Sequence, residues 1–310
     1  MNGTDIPRVS VIVPTYNAAA TIREALASVA AQTFTDFEVI VIDDASTDQT
    51  PRILEDEFAG RPGVHVLLQA RNQGPAAARN AGMAQACGRW VAFLDGDDAW
   101  LPDRLAVQIG LAGEHPEVAL WCGAVMPLVG GRVPSVADNA TTLPMRELPL
   151  KEFAFHNAVA TSTVLVKREA LLAVGGFDPQ FRGPEDYDLW MRVASQQRLM
   201  RIERPLSRYR LVPGSLSMDD RKFLPQVLRV LDKAFGNGGA LAAYAGLHDS
   251  AVATQYWNAS WMAFNRGARL TALRLLARAY QMDHRSEEGA ARAWGRLLLR
   301  YIAGDRPLGV

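Results

Sequence analysis

The sequence is most informative at first through what it lacks. It has only 2 cysteines, Cys87 and Cys122, in 310 residues. That excludes a disulfide framework and any CxxC metal spacing, and it points to a reducing compartment. Neither charge is in excess: 33 basic side chains face 33 acidic ones, for a formal net charge of zero. Such a balance gives no support to nucleic-acid binding. No window reaches the ~18 consecutive apolar residues of a membrane-spanning helix. The opening "MNGTDIPRVSVIVPTYN" has no basic segment followed by a long apolar run, so no signal peptide is expected and the expected location is cytoplasmic. No GxGxxG follows an apolar run, and there is no GxxxxGK[ST] or GxSxG, which argues against a dinucleotide fold, a P-loop and a hydrolase elbow. The five histidines, at positions 65, 115, 156, 248 and 284, are too scattered for a local zinc motif.

What is present is an ordinary globular composition, 49% apolar and 21% charged. Over residues 1–125, apolar β-rich runs ("VSVIVP", "FEVIVID", "VHVLLQ", "RWVAFLD", "VALWCGAV") alternate with helical patterns. Ile22, Leu26 and Val29 share one helical face. Thr50 and Pro51 read as a cap and first turn. Further helices are expected from Pro75 to Ala86 and after Pro102. Strand, helix, strand with short links predicts an α/β fold with a mostly parallel sheet covered on both faces. The stretch "PLVGGRVPSVADNATTLP" breaks the pattern and reads as a loop. Then come a helix or turn at "LKEFAFHN", a strand at "TSTVLVK", a short helix stopped by Gly175 and Gly176, a helix at "PEDYDLWMRVASQQ", and one or two short strands in "LMRIERPLSRYRLV". Beyond Met218 the pattern is all helical. "SAVATQYWNASWMAF" and "ARLTALRLLARAYQM" form a hairpin broken at "NRGA", and "EEGAARAWGRLLLRYI" makes a last amphipathic helix. The expected organisation is a catalytic domain over 1–217, with halves at about 1–125 and 126–217, and a helical extension over 218–310.

In an open parallel sheet, ligands bind beyond the carboxyl ends of the strands. Four clusters fall there: Pro14, Thr15, Tyr16 and Asn17; Asp43, Asp44, Ala45, Ser46, Thr47 and Asp48; Arg71, Asn72, Gln73 and Gly74; and Asp95, Gly96, Asp97 and Asp98. Each has a bland reading. Asp43 and Asp44 could cap a helix, Tyr16 could simply pack, Arg79 could be a solvated arginine, and Asp-Gly is a turn dipeptide. Their convergence on one edge is harder to attribute to chance. Three carboxylates within four residues repel one another unless something positive joins them. Carboxylates suit Mg²⁺ or Mn²⁺, which often complete their shell with substrate phosphates. Glu185 and Asp186 open a helix after Gly183 and Pro184. There a carboxylate gains from the helix dipole, or serves as a general base.

Taken together, "VSVIVPTYN", "FEVIVIDDASTD", "NQGPAAARNAG", "VAFLDGDD" with "WLPDRL", "GGFDPQFRGPEDYDLWMR" and "YRLVPGSLS" resemble the family 2 glycosyltransferases of GT-A fold, in the order that family shows them. The resemblance covers about Val9 to Ser217. It implies an inverting transfer from a nucleotide-sugar, most often UDP-linked, to a glycan, lipid-linked or cell-surface polysaccharide hydroxyl. It also implies roles. Tyr16 would stack on the base and Asp44 would hydrogen-bond it, with Pro14 and Thr15 lining the pocket and Asp43 supporting the loop. Arg79 would approach the diphosphate. Asp95 and Asp97 flank Gly96 as the DxD motif, with Asp95 near the ribose and Asp97 on the Mn²⁺ or Mg²⁺. Asp186 or Glu185 would be the base, and Arg210 and Ser215 lie in a loop that closes over the diphosphate. Many relatives have a histidine where this chain has Leu211 and Val212. The rival readings are a sugar-phosphate nucleotidyltransferase and a non-catalytic nucleotide- or carbohydrate-binding protein. The former usually has a basic Gly-rich loop after the first strand, where this chain has "PTYNAAAT". The helical extension could pack on the catalytic domain, mediate a homodimer, or rest on a membrane surface at the inner face of the cell.

Overall fold

A computed structural model describes residues 7–128, 143–210 and 219–283. The chain divides into two compact units, Met1–Leu150 with Asn157–Val212, and Lys151–His156 with Pro213–Val310.

The first unit is built on one mixed sheet. Its strands are β1 (Val9–Thr15), β2 (Phe37–Asp43), β3 (Val64–Leu68), β4 (Trp90–Phe93), β5 (Ala99–Trp100), β6 (Val118–Pro127), β7 (Met145–Glu147), β8 (Leu165–Lys167) and β9 (Arg198–Tyr209). They lie in the order β3-β2-β1-β4-β8-β6-β9-β5, with β7 paired to β9. The β1–β2, β2–β3 and β1–β4 pairings are parallel, as the strand–helix alternation predicts. β8 then runs antiparallel to both β4 and β6. The chain moves outward through β1, β2 and β3 and crosses back to place β4 on the other side of β1. This makes a topological switch point at the β1/β4 ends, where open α/β sheets bind ligands.

Every residue of β1 is buried, as a central strand covered on both faces requires. β3, with a similar apolar sequence, is only partly buried. It is the edge strand, which the apolar run could not reveal. The helices are α1 (Ile22–Ala30), α2 (Thr50–Glu57), α3 (Pro75–Gln85), α4 (Arg104–Glu114), α5 (Arg168–Ala173) and α6 (Glu185–Ala194). α1 buries Ile22, Ala25, Leu26 and Val29, one stripe at 3.6 periodicity. α3 lies close on the sheet because Gly82 has no side chain. A Cβ there would come within 2.7 Å of Ile12 and Ile42.

Three local expectations need correction. Thr50 is the first residue of α2 and not its cap. Asp48 Oδ1 accepts from the Thr50 amide at 2.9 Å, and the Thr50 hydroxyl accepts from the Ala18 amide. "TSTVLVK" is a strand only from Leu165, because Thr161–Thr163 form a 3-10 turn whose carbonyls are held by side chains. "LMRIERPLSRY" is one long strand, with irregular register against β6.

In the second unit the described helices are α7 (Asp220–Phe235), α8 (His248–Asn265) and α9 (Arg269–Met282). Asp219 caps α7, and the buried Asp220 pairs with Arg266 at 2.8 Å. α8 and α9 form the expected hairpin, turning at Gly267 with φ of 83°. No helix among the described residues is long and apolar enough to cross a membrane. The expected loop over 129–142 and the last amphipathic helix, "EEGAARAWGRLLLRYI", lie outside the described residues.

Candidate active site

The strand ends meet at the switch point, and local chemistry fixes each loop there. After β1, Tyr16 is half exposed, and Asn17 takes a positive φ of 50°. Its side chain accepts from the Thr47 amide at 2.8 Å, and its amide donates to Ser46 Oγ at 2.8 Å, lacing this loop to the one after β2. Ala45 in that second loop also has a positive φ, 57°. A left-handed alanine is strained, and such strain concentrates where function dictates the backbone.

Asp43 and Asp44 are both buried but differ in use. Asp44 accepts from the Gln73 amide at 2.8 Å and the Gly74 amide at 2.7 Å, tying β2 to the start of α3. Asp43 Oδ2 accepts from the Ser46 amide, while its Oδ1 is buried without a partner. The Thr15 hydroxyl, opposite Asp43 in the strand register, is likewise buried and unpartnered.

The acidic loop is a tight turn. The Asp98 amide donates to the Asp95 carbonyl at 3.0 Å, and Thr21 Oγ1 donates to the Gly96 carbonyl at 2.8 Å. Gly96 is required by close approach: a Cβ would stand 2.9 Å from Thr15 Oγ1. Burial and the neighbouring Asp95 carboxylate push Asp97 up to about 6 and Asp98 up to about 7. That is the expected response of crowded carboxylates to partial desolvation. Arg210, just past β9, braces the loop. Its amide donates to Asp98 Oδ1 at 3.0 Å, its Nε donates to the Asp97 carbonyl at 2.9 Å, and its guanidinium pairs with Glu24. Ser215 lies outside the described residues.

Arg79 joins this loop to α6. Its Nη2 donates to Asp95 Oδ1 and its Nη1 to Glu185 Oε1, both at 2.7 Å, and it lies over the Phe177 ring. Burial favours the neutral guanidine, but the Asp95 and Glu185 carboxylates more than offset this and raise its pKa. Each terminal nitrogen gives one N–H to a carboxylate, so Arg79 braces two acidic segments. Glu185 is also committed, since its Oε2 accepts from the Gly183 amide at 2.7 Å.

Asp186 stands beside this ion triple. Its Oδ2 accepts from Thr161 Oγ1 at 2.8 Å and from Asn157 Nδ2 at 3.1 Å, and its Oδ1 from the Tyr187 amide at 2.7 Å. Burial first, and then the Glu185 carboxylate, push Asp186 up to about 6, against the opposing pull of Arg79, the Thr161 hydroxyl and the Tyr187 amide. A carboxylate with that proton affinity can take a proton near neutral pH.

The sequence reading missed Asn157, Thr161 and Ser162. The Asp95 amide donates to Ser162 Oγ at 3.2 Å. The available signal was a run of small hydroxyl residues inside an apolar stretch. Among the described residues no three His, Cys, Asp or Glu side chains converge as a ready-made metal cage. A site of one or two carboxylates completed by substrate phosphates needs no such cage.

Comparison with known proteins bears on this geometry. Residues 10–170 match the family described as Glycosyl transferase family 2, and residues 143–236 match Glycosyltransferase like family 2. TuaG, a Bacillus subtilis protein named for teichuronic acid biosynthesis, is 31% identical over 217 residues, 70% of this chain and 84% of its own. WfgD of Escherichia coli, a UDP-Glc:alpha-D-GlcNAc-diphosphoundecaprenol beta-1,3-glucosyltransferase, is 29% identical over 228 residues, 72% of this chain and 85% of its own. The crystal structure of S. aureus TarS 1–349 with UDP-GlcNAc aligns at a TM-score of 0.63 and 21% identity, over 96% of this chain and 92% of that one. The mannosyltransferase PcManGT from Pyrobaculum calidifontis, solved with GDP-Man and Mn²⁺, aligns at 0.63 and 22% identity, over 97% and 81%. These two likenesses establish the fold, a GT-A-like α/β sheet with C-terminal helices. The family match spans over half of the chain, and with it this protein belongs to glycosyltransferase family 2.

Proposed function

We propose that the chain is an inverting, metal-dependent hexosyltransferase of bacterial polysaccharide biosynthesis. It would move a sugar from a UDP-sugar to a hydroxyl of a glycan or lipid-linked acceptor. The observation that carries this reading is the Asp95–Arg79–Glu185 ion triple. It brings Asp186, raised to about 6, beside the acidic turn at the switch point. The UDP-bound TarS structure and the diphosphoundecaprenol acceptor of WfgD support the choice of donor and acceptor class.

In this reading Tyr16 stacks on the nucleobase. Pro14, Thr15, Asp43 and Asp44 shape its pocket, where Asp43 Oδ1 and Thr15 Oγ1 are buried without a partner. Asp95 and Asp97 would hold Mn²⁺ or Mg²⁺, and the crowding that raises Asp97 is the charge imbalance a cation relieves. Such a cation supplies charge neutralisation for the departing diphosphate. Asp186 takes the proton from the acceptor hydroxyl as its oxygen bonds to the anomeric carbon. The bond from that carbon to the diphosphate oxygen breaks, and the nucleotide leaves with the electron pair. One protein carboxylate suffices, whereas an inverting glycosidase needs both an acid and a base. Asp186 is preferred to Glu185 because Glu185 is ion-paired with Arg79 at 2.7 Å, whereas the donors to Asp186 are neutral and its proton affinity is raised to about 6.

The test is to incubate the protein with UDP-glucose, UDP-N-acetylglucosamine and GDP-mannose in Mn²⁺ and measure nucleoside diphosphate release. UDP release from a UDP-sugar supports the reading. Pyrophosphate formation from a sugar phosphate and UTP, without UDP release, overturns it.

A further inference from the structure

The turn Thr161–Thr163 sits between the two halves of the site. It is buried throughout, with Thr161 6%, Ser162 3% and Thr163 0% exposed. Its β-branched sequence favours a strand, yet among the described residues no strand pairs with it. Side chains hold it instead. The Ser162 carbonyl accepts from Trp100 Nε1 at 2.9 Å, the Thr163 carbonyl from Gln108 Nε2 at 2.9 Å, and the Val164 carbonyl from Arg104 Nη2 at 2.6 Å. Arg104 is fully buried, lies 3.7 Å over the Trp100 ring, and has no partner for its Nε or Nη1. Burying a guanidinium this way costs more than a plain packing position needs. Three consecutive carbonyls anchored from one side make the turn a rigid bracket.

The bracket presents its hydroxyls to both functional segments. Ser162 Oγ accepts from the Asp95 amide at 3.2 Å, and Thr161 Oγ1 donates to Asp186 Oδ2 at 2.8 Å. We propose that Thr161 is a positioning residue for Asp186, and that the Thr161–Val164 bracket sets where the base stands relative to the acidic turn. This rests on the reading of Asp186 as the base. The groups facing Asp186 are Glu185 on its own helix, Arg79 from α3, Asn157 and Thr161 from the segment before β8, and the Tyr187 amide. Among them Thr161 is the buried side-chain donor that points at the oxygen shared with Asn157. A hydrogen bond to a carboxylate favours its charged form. Without the hydroxyl, Asp186 binds its proton more tightly and loses its fixed orientation.

The experiment uses Thr161→Val, which keeps the shape and removes the donor, and Thr161→Ser, which restores it. UDP release from UDP-glucose or UDP-N-acetylglucosamine is followed across pH in Mn²⁺. For Thr161→Val the expected result is a turnover number at least about tenfold lower, UDP affinity by calorimetry unchanged, and the acid limb of the pH–rate profile moved up by about one unit. Thr161→Ser returns both quantities towards wild type. A purely structural role would lower thermal stability and leave the limb in place, and that result overturns the proposal. A second measurement needs no turnover. It is the double-mutant cycle of Thr161→Val with Asp186→Ala in unfolding, run at pH 8 and pH 4.5. Coupling at pH 8 that shrinks at pH 4.5 supports the proposal, and no coupling at pH 8 overturns it. If Asp186→Asn transfers sugar at the wild-type rate while the coupling persists, the assignment of the base fails and the positioning of Asp186 by Thr161 stands.

Discussion

Replacing Asp186 with asparagine should move activity and stability in opposite directions. The side chain has its proton affinity raised from an ordinary 3.8 to about 6, by burial and by the Glu185 carboxylate. Each unit of such a shift is worth about 1.4 kcal/mol between the two protonation states. The full shift would amount to about 3 kcal/mol of destabilisation by the charged form. Asparagine discards the charge but fits the Thr161 and Asn157 donors less well, so the net gain should be about 1–2 kcal/mol. The sign follows from linkage. The folded-state value lies above the unfolded one, so the penalty is fully present above pH 6, fades as pH falls, and is gone below about 4. Thermal unfolding of wild type and variant should therefore differ by a few degrees at pH 8, with the variant higher, and converge near pH 4. The variant should also lose at least about 100-fold in UDP release, the lower range for removing a general base. A variant that unfolds earlier than wild type at pH 8, or that retains near-normal turnover, would refute the reasoning.

Arg79→Met leaves the buried Glu185 and the Asp95 carboxylate without their shared cation, and should cost about 3–5 kcal/mol in denaturant unfolding. Adding Glu185→Leu should recover much of that loss, because an uncompensated charge is removed. Ala45→Gly relieves a left-handed backbone and should raise stability by about 1 kcal/mol, read as a higher denaturant midpoint with an unchanged slope.

The first part of the fold was legible because its code is local. Apolar runs, helical spacing and the order of chain segments are enough to place β1 to β4 and α1 to α4. What escaped depends on contacts between distant residues. Nothing local distinguishes the edge strand β3 from the buried β1. Nothing near "TSTV" announces that Trp100, Arg104 and Gln108 will supply donors to its carbonyls and cancel its strand preference. The two-residue β5 is set by its partner β9. At the site, the residue types at the strand ends were readable, but their pairing was not. That Arg79 would bridge Asp95 and Glu185 follows from the α3 and α6 placements, which no spacing rule contains. The same ion triple separates Glu185 from Asp186, two adjacent carboxylates that the sequence could not tell apart.

The central claim is that the acidic turn at the β1/β4 switch point receives a nucleotide diphosphate together with a divalent cation. Titrating UDP by calorimetry, with and without Mn²⁺, into wild type and Asp97→Asn tests it most directly. The account predicts that Mn²⁺ tightens UDP binding to the wild type at least about tenfold, the scale of one lost charge-assisted ligand contact, and that Asp97→Asn abolishes this gain while leaving weak metal-free binding. Equal UDP affinity with and without Mn²⁺, or an undiminished Mn²⁺ effect in Asp97→Asn, would contradict it.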